Sequence, residues 1–157
     1  MYMTEKAGII YKSMVIEESL LINAKIGKVW ETFTDLTCWK DWNTVMRNVC
    51  SGEKCLSHGS EISCSFRPFL LPVKAMIRVE EVKPYERIVW SAKKKGFSAR
   101  NNFSFQSNEK GVLVTSRETY SGPLVKSLSF LLPKRRMRTL IKTFLKDLKK
   151  ASENKLI

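Results

Sequence analysis

The sequence predicts an α+β fold in which one curved antiparallel sheet of about seven strands covers a long C-terminal helix. A run of strand-like stretches lies between residues 46 and 121, joined by short links. One earlier strand pattern and two short helical patterns precede that run, and the chain ends in a long amphipathic helical pattern. Short links between consecutive strands favour antiparallel pairing of neighbours.

The first predicted strand covers residues 13–22, and helical spacing of apolar residues follows it. Asn23 is expected to cap the first helix through its side chain. The residues of this helix that recur at helical spacing are Ile26, Val29, Trp30 and Phe33. A second, shorter helix and a turn are predicted over residues 36–43.

Alternation within the later strands indicates which face of the sheet is covered. The predicted strands are 46–50, 60–67, 72–82, 86–93, 97–106 and 112–121. In the strand 72–82, charged residues alternate with apolar ones: Lys74, Arg78 and Glu80 point outward, and Val73, Ala75, Ile77 and Val79 point inward. One face of the sheet is therefore expected to meet water and the other to be covered.

The final stretch, Gly122–Ala151, supplies that cover. Pro133 is expected to kink or restart the helix, because proline cannot donate the backbone hydrogen bond of an uninterrupted ladder. One face after Pro133 is apolar, and it contains Met137, Leu140, Ile141, Phe144, Leu145, Leu148 and Ala151. The other positions are rich in lysine and arginine.

Length and composition indicate one domain at residues 13–152, with tails at 1–12 and 153–157. The chain has neither the apolar core of a signal peptide nor an apolar run long enough to span a membrane, which predicts a cytoplasmic protein, with peripheral membrane binding as an option. Cys50, Cys55, His58 and Cys64 lie close together, but their spacing fits no standard zinc site. We therefore expect reduced thiols and no metal or other cofactor.

The net charge of +13 predicts attraction to polyanions, meaning nucleic acid, an anionic membrane or an acidic partner. Much of the excess falls after Leu124. Nucleic-acid or ribosome binding is disfavoured, because no known nucleic-acid module is recognisable and few aromatic residues interleave with the basic run.

Several short motifs occur in an order that resembles a known superfamily. They are Ile22-Asn23-Ala24 before Val29-Trp30, then Asp35, Trp39-x-x-Trp42-Asn43, Val79-x-x-Val82-x-Pro84, Ile88-x-Trp90, Phe103-x-Phe105 before Gly111, and Glu118-x-Tyr120-x-Gly122. Over residues 13–151 the chain resembles the START-like helix-grip superfamily (SRPBCC), and within it the polyketide cyclase/dehydrase-like branch.

This resemblance implies a cavity between helix and sheet that holds an apolar or amphipathic ligand. The superfamily binds sterols, lipids, quinones, polyketides and plant hormones, and only some members are enzymes. The basic final helix departs from most of these domains.

Strand alternation nominates the residues that line such a cavity. Glu118 and Tyr120 share one face of the last strand, and Asn101 and Phe103 share one face of the strand before it. The predicted ligand-binding residues are Trp42, Arg67, Trp90, Asn101, Phe103, Glu118 and Tyr120. Glu118 has three possible roles at this point: an ion pair with Arg67 or with a basic residue of the final helix, a hydrogen bond to a ligand, or general acid–base catalysis.

The alternation of hairpin turns between the two ends of the sheet predicts a cluster of apolar and basic residues at the cavity mouth. The motif Phe-Leu-Leu-Pro occurs twice, at residues 69–72 and 130–133. The predicted mouth contains Phe69, Leu70, Leu71, Lys93, Lys94, Lys95, Phe130, Leu131, Leu132, Lys134, Arg135 and Arg136. Apolar tips surrounded by basic residues suit an interfacial membrane site, whereas the alternative is that the apolar segments plug the core.

The favoured function is therefore non-enzymatic binding or transport of a hydrophobic small molecule (lipid, quinone or polyketide-like), loaded at an anionic membrane surface. The first alternative is a polyketide cyclase or dehydratase-type enzyme that uses Glu118. The second is a basic protein that binds nucleic acid or the ribosome.

Overall fold

The computed structural model describes residues 3–6, 9–68, 70–125 and 133–154. Its strands are β1 (Met3–Lys6), β2 (Ile9–Lys12), β3 (Met14–Ile22), β4 (Arg47–Cys50), β5 (Glu61–Phe66), β6 (Val73–Lys83), β7 (Arg87–Lys94), β8 (Phe97–Asn108) and β9 (Gly111–Ser121). Its helices are α1 (Ile26–Thr34), a 3-10 turn (Leu36–Cys38), α2 (Trp39–Trp42) and the C-terminal helix (Lys134–Glu153).

The main sheet has seven antiparallel strands in the order β3-β9-β8-β7-β6-β5-β4. Strands β4 to β9 form a meander, and β3 adds to its far edge by pairing with β9 from Met14↔Tyr120 to Ile22↔Val112. The predicted α+β helix-grip fold is therefore confirmed. Alternation on β6 is also as predicted, with Ile77 and Val79 buried and Lys74 and Arg78 exposed.

Helix α1 buries Val29, Trp30 and Phe33, as its periodicity predicts. The prediction that Asn23 caps this helix is wrong. The N-cap residue is Lys25, which makes no side-chain capping bond. Asn23 instead donates its backbone N–H to Glu153 Oε1 at 2.8 Å, because the helix starts only after the turn in which Ala24 N–H bonds Ile22 O.

The C-terminal helix begins directly after Pro133, whose carbonyl accepts hydrogen bonds from the N–H groups of Arg136 and Met137. Its apolar face packs toward the sheet and buries Met137, Ile141, Phe144, Leu145 and Leu148. Part of its basic face is used for anchoring to β3. Arg138 pairs with Glu18, and Lys149 Nζ donates to Leu21 O at 2.9 Å.

An aromatic cluster joins α1, α2, the sheet and the C-terminal helix. Phe33 is fully buried and lies within about 6 Å, centroid to centroid, of Trp90 (5.6 Å), Phe103 (4.9 Å) and Phe144 (5.8 Å). Trp39 is also fully buried, and its indole N–H donates to Phe33 O at 2.9 Å. This cluster holds the two short helices against the middle of the C-terminal helix, where Phe144 lies.

The strands β1 and β2 pair antiparallel in a separate two-stranded sheet, which the sequence did not predict. None of the described helices combines the length and the hydrophobicity that crossing a bilayer requires.

Candidate functional site

The concave face of the sheet and the C-terminal helix enclose a cavity of about 900 Å³. The helix contributes Met137, Leu140, Ile141 and Phe144 to its wall. The strands contribute mostly apolar and aromatic side chains, including Cys64, Phe66, Ile77, Trp90, Ala92, Phe97, Ala99 and Phe103. A cavity of this size and composition suits a largely apolar small molecule.

Besides Lys74 and Lys94, the polar side chains of the described wall come from neighbouring positions on β8 and β9. Asn101 on β8 lies directly opposite Glu118 on β9. Ser116 and Tyr120, two positions before and after Glu118, share its face of β9 because strand side chains alternate. Ser116 Oγ donates to Asn101 Oδ1 at 3.1 Å, which leaves the Asn101 amide nitrogen to face the cavity as a donor.

Glu118 has no ion-pair partner among the described residues, so the ion pair considered for it is not seen in this part of the chain. Burial raises the pKa of its carboxyl group to about 7, and the nearby Tyr120 hydroxyl opposes that rise. An unpaired carboxyl group in apolar surroundings is therefore close to half protonated at neutral pH. In that state it can either donate or accept a hydrogen bond.

Tyr120 is buried, and its ring stacks on Phe97 with 5.7 Å between centroids. Burial raises the pKa of its phenol well above the usual range, and the neighbouring Glu118 charge adds to that rise. The two groups are near enough to shift each other's pKa. Yet the Tyr120 hydroxyl has no hydrogen-bond partner of ordinary geometry within the described residues. Buried polar groups normally have a partner, so this hydroxyl is available to a hydrogen-bonding group that enters the cavity.

The cavity opens at the end of the sheet where the β5–β6 and β7–β8 turns lie. Leu70 and Leu71 line the cavity edge, yet they are 75% and 77% exposed. Leu124 is 45% exposed and is tied to the β7–β8 turn by a hydrogen bond from its N–H to Gly96 O at 3.0 Å. These three exposed leucines lie at the turns of the same end of the sheet, and we refer to them as the mouth leucines.

Basic residues surround the mouth leucines. Lys93, Lys94 and Lys95 are exposed at the β7–β8 turn, and Lys134, Arg135 and Arg136 are exposed in the first turn of the C-terminal helix. That turn lies at the mouth end, since the last residue of the helix, Glu153, contacts Asn23 at the opposite end of β3. The predicted mouth residues Phe69, Phe130, Leu131 and Leu132 lie outside the described residues.

The structure brings five of the seven predicted ligand-binding residues to the cavity wall: Trp90, Asn101, Phe103, Glu118 and Tyr120. It corrects the placement of the other two. Trp42 lies outside the wall, where its ring packs on Trp39 and Phe144 at 6.0 Å and 5.5 Å between centroids. Arg67 is exposed, because alternation along β5 turns Ile62, Cys64 and Phe66 inward and the residue after Phe66 outward.

Lys94 was predicted at the cavity mouth, but sequence reasoning did not assign its side chain, Cys64 or Phe97 to the cavity wall, although alternation along the strands could have done so. Lys94 lines the cavity, in phase with the inward residues Trp90 and Ala92 of β7. Cys64 and Phe97 line it as well. Burial raises the pKa of the Cys64 thiol to about 11, so this side chain is an unreactive part of the apolar wall.

Within the part of the chain that the structure describes, no three His, Cys, Asp or Glu side chains converge on a point that could hold a metal ion. The lone histidine, His58, has its Nδ1 at 2.6 Å from the backbone carbonyl of Glu80, which accepts the ring N–H.

The fold and the cavity agree with a comparison with protein families. Residues 13–153 match the family described as polyketide cyclase / dehydrase and lipid transport. The chain belongs to this family. The resemblance inferred from its motifs is thereby confirmed at the level of the superfamily.

Solved structures share this fold at low sequence identity. A hypothetical protein from Helicobacter pylori has a TM-score of 0.71 at 17% identity, with 90% of this chain and 88% of that chain covered. Norcoclaurine synthase from Thalictrum flavum, in complex with dopamine and hydroxybenzaldehyde, has a TM-score of 0.72 at 14% identity, with 94% and 91% covered. A protein from Thermus thermophilus has a TM-score of 0.71 at 16% identity, with 90% and 97% covered. No curated protein matches the chain.

Proposed function

We propose that residues 13–152 bind a hydrophobic or amphipathic small molecule, such as a lipid, a quinone or a polyketide-like compound, in the cavity between sheet and helix. The observation that carries the proposal is the cavity itself, which has a volume of about 900 Å³, a mostly apolar wall and one cluster of polar groups in which the Tyr120 hydroxyl has no partner among the described residues. The apolar wall supplies affinity, and Glu118, Asn101 and Tyr120 orient the polar group of the ligand. The family's description, which includes lipid transport, supports this proposal.

Native mass spectrometry of the protein purified from its host tests ligand binding directly. We expect a retained small molecule that is absent from an Ala99→Phe variant, because Ala99 lines the cavity next to Tyr120 and a phenyl ring there takes space that the ligand needs. The matched control is Gln106→Phe, which adds the same ring to the exposed outer face of the same strand. Equal retention by both variants, or no binding of any apolar probe by the wild type, would contradict the proposal.

We propose further that the ligand enters and leaves at an anionic membrane surface that the mouth leucines contact. The exposed leucines supply apolar burial at the interface. The surrounding lysine and arginine residues each add roughly 1 kcal/mol near an anionic surface. On this proposal the protein acts in the cytoplasm and binds the membrane peripherally.

Sedimentation with liposomes tests the membrane contact. Binding to vesicles of phosphatidylcholine and phosphatidylserine is expected to exceed binding to phosphatidylcholine alone and to fall at high salt. A Leu70→Ser/Leu71→Ser variant is expected to lose binding. The control Met76→Ser, which removes a side chain 57% exposed on the outer face of β6, is expected to retain it. Equal sedimentation with charged and neutral vesicles would refute the proposed attraction of the lysine and arginine residues to an anionic surface.

A second candidate function is a cyclase or dehydratase-type enzyme in which Glu118 transfers protons. One observation favours it: burial raises the pKa of Glu118 to about 7, the range in which a general acid or base works well at neutral pH. Glu118 would remove a proton from a carbon next to a ligand carbonyl. It would return that proton to the hydroxyl group that leaves in a dehydration, or to the alkoxide oxygen that forms in a cyclisation.

Incubation with synthetic poly-β-ketone substrates, followed by mass spectrometry, separates the enzyme from the carrier. An enzyme would convert at least one substrate, and Glu118→Gln would abolish conversion while leaving substrate binding intact. Unimpaired turnover by Glu118→Gln would exclude this mechanism. Binding without any turnover by the wild type would favour the carrier.

A further inference from the structure

The polar groups of the cavity lie at two depths. Lys94 is at the mouth, at the last position of β7, and it pairs with Phe97 at the start of β8. Glu118 and Asn101 lie deeper, in the same cross-strand row as Trp90. Among the described lining residues, Lys94 and Lys74 are the basic ones and Glu118 is the acidic one.

The distance between these two levels follows from the strand geometry. Lys94 and Trp90 are four positions apart on β7 and share the inward face. At about 3.3 Å per residue, the row of Glu118 lies about 13 Å below the row of Lys94. The wall between the two rows is formed by Ala92, Ala99 and the Tyr120 ring, so it is apolar except for the Tyr120 hydroxyl.

We infer that the ligand is an amphiphile with two polar groups: an anionic end group held by Lys94 at the mouth, and a hydroxyl or carbonyl group about 13 Å along its body that bonds Glu118, Asn101 or Tyr120. This inference rests on the proposed binding function and specifies the chemical class of its ligand. It also fixes the direction of binding, with the charged end outward.

The opposite direction of binding is disfavoured by charge. An anionic end group beside Glu118 would put two acids together in an apolar cavity, and one of them would have to remain protonated. At the mouth the same group meets Lys94, which has no ion-pair partner among the described residues. Exposed Lys93 and Lys95 add to the positive potential there.

Glu118, Asn101 and Tyr120 favour a ligand that carries a hydrogen-bonding group in its interior part. A purely apolar chain would cover Glu118, the Asn101 amide nitrogen and the Tyr120 hydroxyl without bonding any of them. Leaving buried polar groups unpaired has a large free-energy cost, so a site built to bond a hydroxyl group discriminates against the analogue that lacks it.

Binding of matched stearic acid derivatives to the full chain tests the inference. The probes are stearic acid, stearyl alcohol, stearic acid hydroxylated in mid-chain and stearic acid hydroxylated next to its carboxylate. We expect the mid-chain hydroxy acid to bind about tenfold more tightly than stearic acid. The acid hydroxylated next to its carboxylate should show no such gain, and stearyl alcohol should bind more weakly than stearic acid.

Two pairs of variants assign these effects to residues. Lys94→Met is expected to remove the preference for the acid over the alcohol. Its control Lys93→Met, which removes a charge from the adjacent outward position, should keep that preference. Glu118→Met should reduce or reverse the preference for the mid-chain hydroxyl, whereas Glu118→Gln, which can still bond a hydroxyl group, should keep it. Thermal unfolding of each variant verifies that it is folded.

The outcomes separate this inference from the proposed function. If no derivative binds the wild type, both fail. If all four derivatives bind with equal affinity, the proposed binding of apolar ligands stands. Only the inference that Lys94 and Glu118 or Asn101 each recognise one polar group of the ligand is then overturned. If the two hydroxy acids bind with equal affinity, the inferred distance of about 13 Å between the two polar groups of the ligand is wrong.

Discussion

Glu118 and Asn101 are direct cross-strand neighbours on the concave face of the sheet, and Ser116 already occupies the Asn101 carbonyl oxygen. That bond turns the Asn101 amide nitrogen into the available donor beside an unpaired carboxyl group. The pair therefore offers a ligand one donor, together with one group that donates or accepts according to pH. Several consequences of this arrangement can be measured on the protein without knowledge of its ligand.

Burial of Glu118 is expected to make the wild type lose stability as the pH rises toward 7. The pKa of this carboxyl group is raised from 4.5 to about 7 by folding, so the folded state binds a proton that the unfolded state has released. Its contribution is fully present below about pH 4.5 and is lost as the pH rises through about 7, which amounts to at most about 3 kcal/mol. Urea unfolding across this pH range gives the measurement.

The Glu118→Gln variant isolates that effect from other carboxyl groups. Hydrogen bonds lower the pKa of Glu53 and Glu153, and these groups therefore lose their stabilising effect as the pH falls, the opposite direction. Subtracting the stability curve of the Glu118→Gln variant from the wild-type curve cancels them. A difference that does not change with pH would mean that folding does not raise the pKa of Glu118, and a difference that grows with pH would mean that Glu118 is paired.

The four cysteines are expected to react at very different rates with a thiol reagent. Cys38, Cys50 and Cys55 are exposed, whereas Cys64 is buried and its thiol has a pKa raised to about 11. Because the thiolate is the reacting form, Cys64 should be modified last in the native protein at neutral pH. Peptide mapping after alkylation with iodoacetamide, with a urea-unfolded sample as control, measures this. Equal modification of all four in the native protein would contradict the burial of Cys64.

Asp147 is expected to stabilise the junction between α2 and the C-terminal helix. Its Oδ2 accepts hydrogen bonds from Thr44 N at 2.9 Å and from Thr44 Oγ1 at 2.6 Å. Asp147→Ala removes both bonds and should lower the free energy of unfolding by about 1–2 kcal/mol. Lys146→Ala, at an exposed position of the same helix, is the matched control and should change it by less than about 0.5 kcal/mol. Similar unfolding curves for the two variants would show that the contact is not formed in solution.

The fold and the inner face of the sheet were predictable because strand periodicity fixes both. Shifting the inward–outward alternation by one residue would put the apolar residues of β8 and β9 in solvent. The alternation on these strands therefore assigns Glu118 and Asn101 to the inner face of the sheet. The same argument applied to β7 should have assigned Lys94 to the cavity. The position of the β7–β8 turn alone placed Lys94 at the cavity mouth, and its inward phase on β7 adds that it also lines the wall.

The errors at Trp42 and Asn23 have a different origin. Helix α2 has four residues, too few for a periodic pattern to show which face is buried. Asn23 resembled a cap because Asn is common at helix starts, but the N-cap of α1 is Lys25, two residues later, and the backbone N–H of Asn23 donates to Glu153, a residue 130 positions away. The absence of an ion pair at Glu118 within the described residues likewise depends on where the C-terminal helix crosses the sheet. Such contacts depend on tertiary packing, which local patterns do not encode.

Gly111 is expected to tolerate no side chain, because the β8–β9 turn lies against the end of β3. It has φ +140°, and a Cβ there would lie 2.1 Å from the backbone oxygen of Ile22. Gly111→Ala should therefore lower the free energy of unfolding by about 1–3 kcal/mol, as the strain moves the turn away from β3. The control is Gly27→Ala in α1, where a Cβ meets nothing within 4 Å and alanine favours the helix by about 0.5–1 kcal/mol. Urea unfolding of the two variants should thus shift in opposite directions, and an unchanged Gly111→Ala midpoint would contradict the close approach of these two backbones.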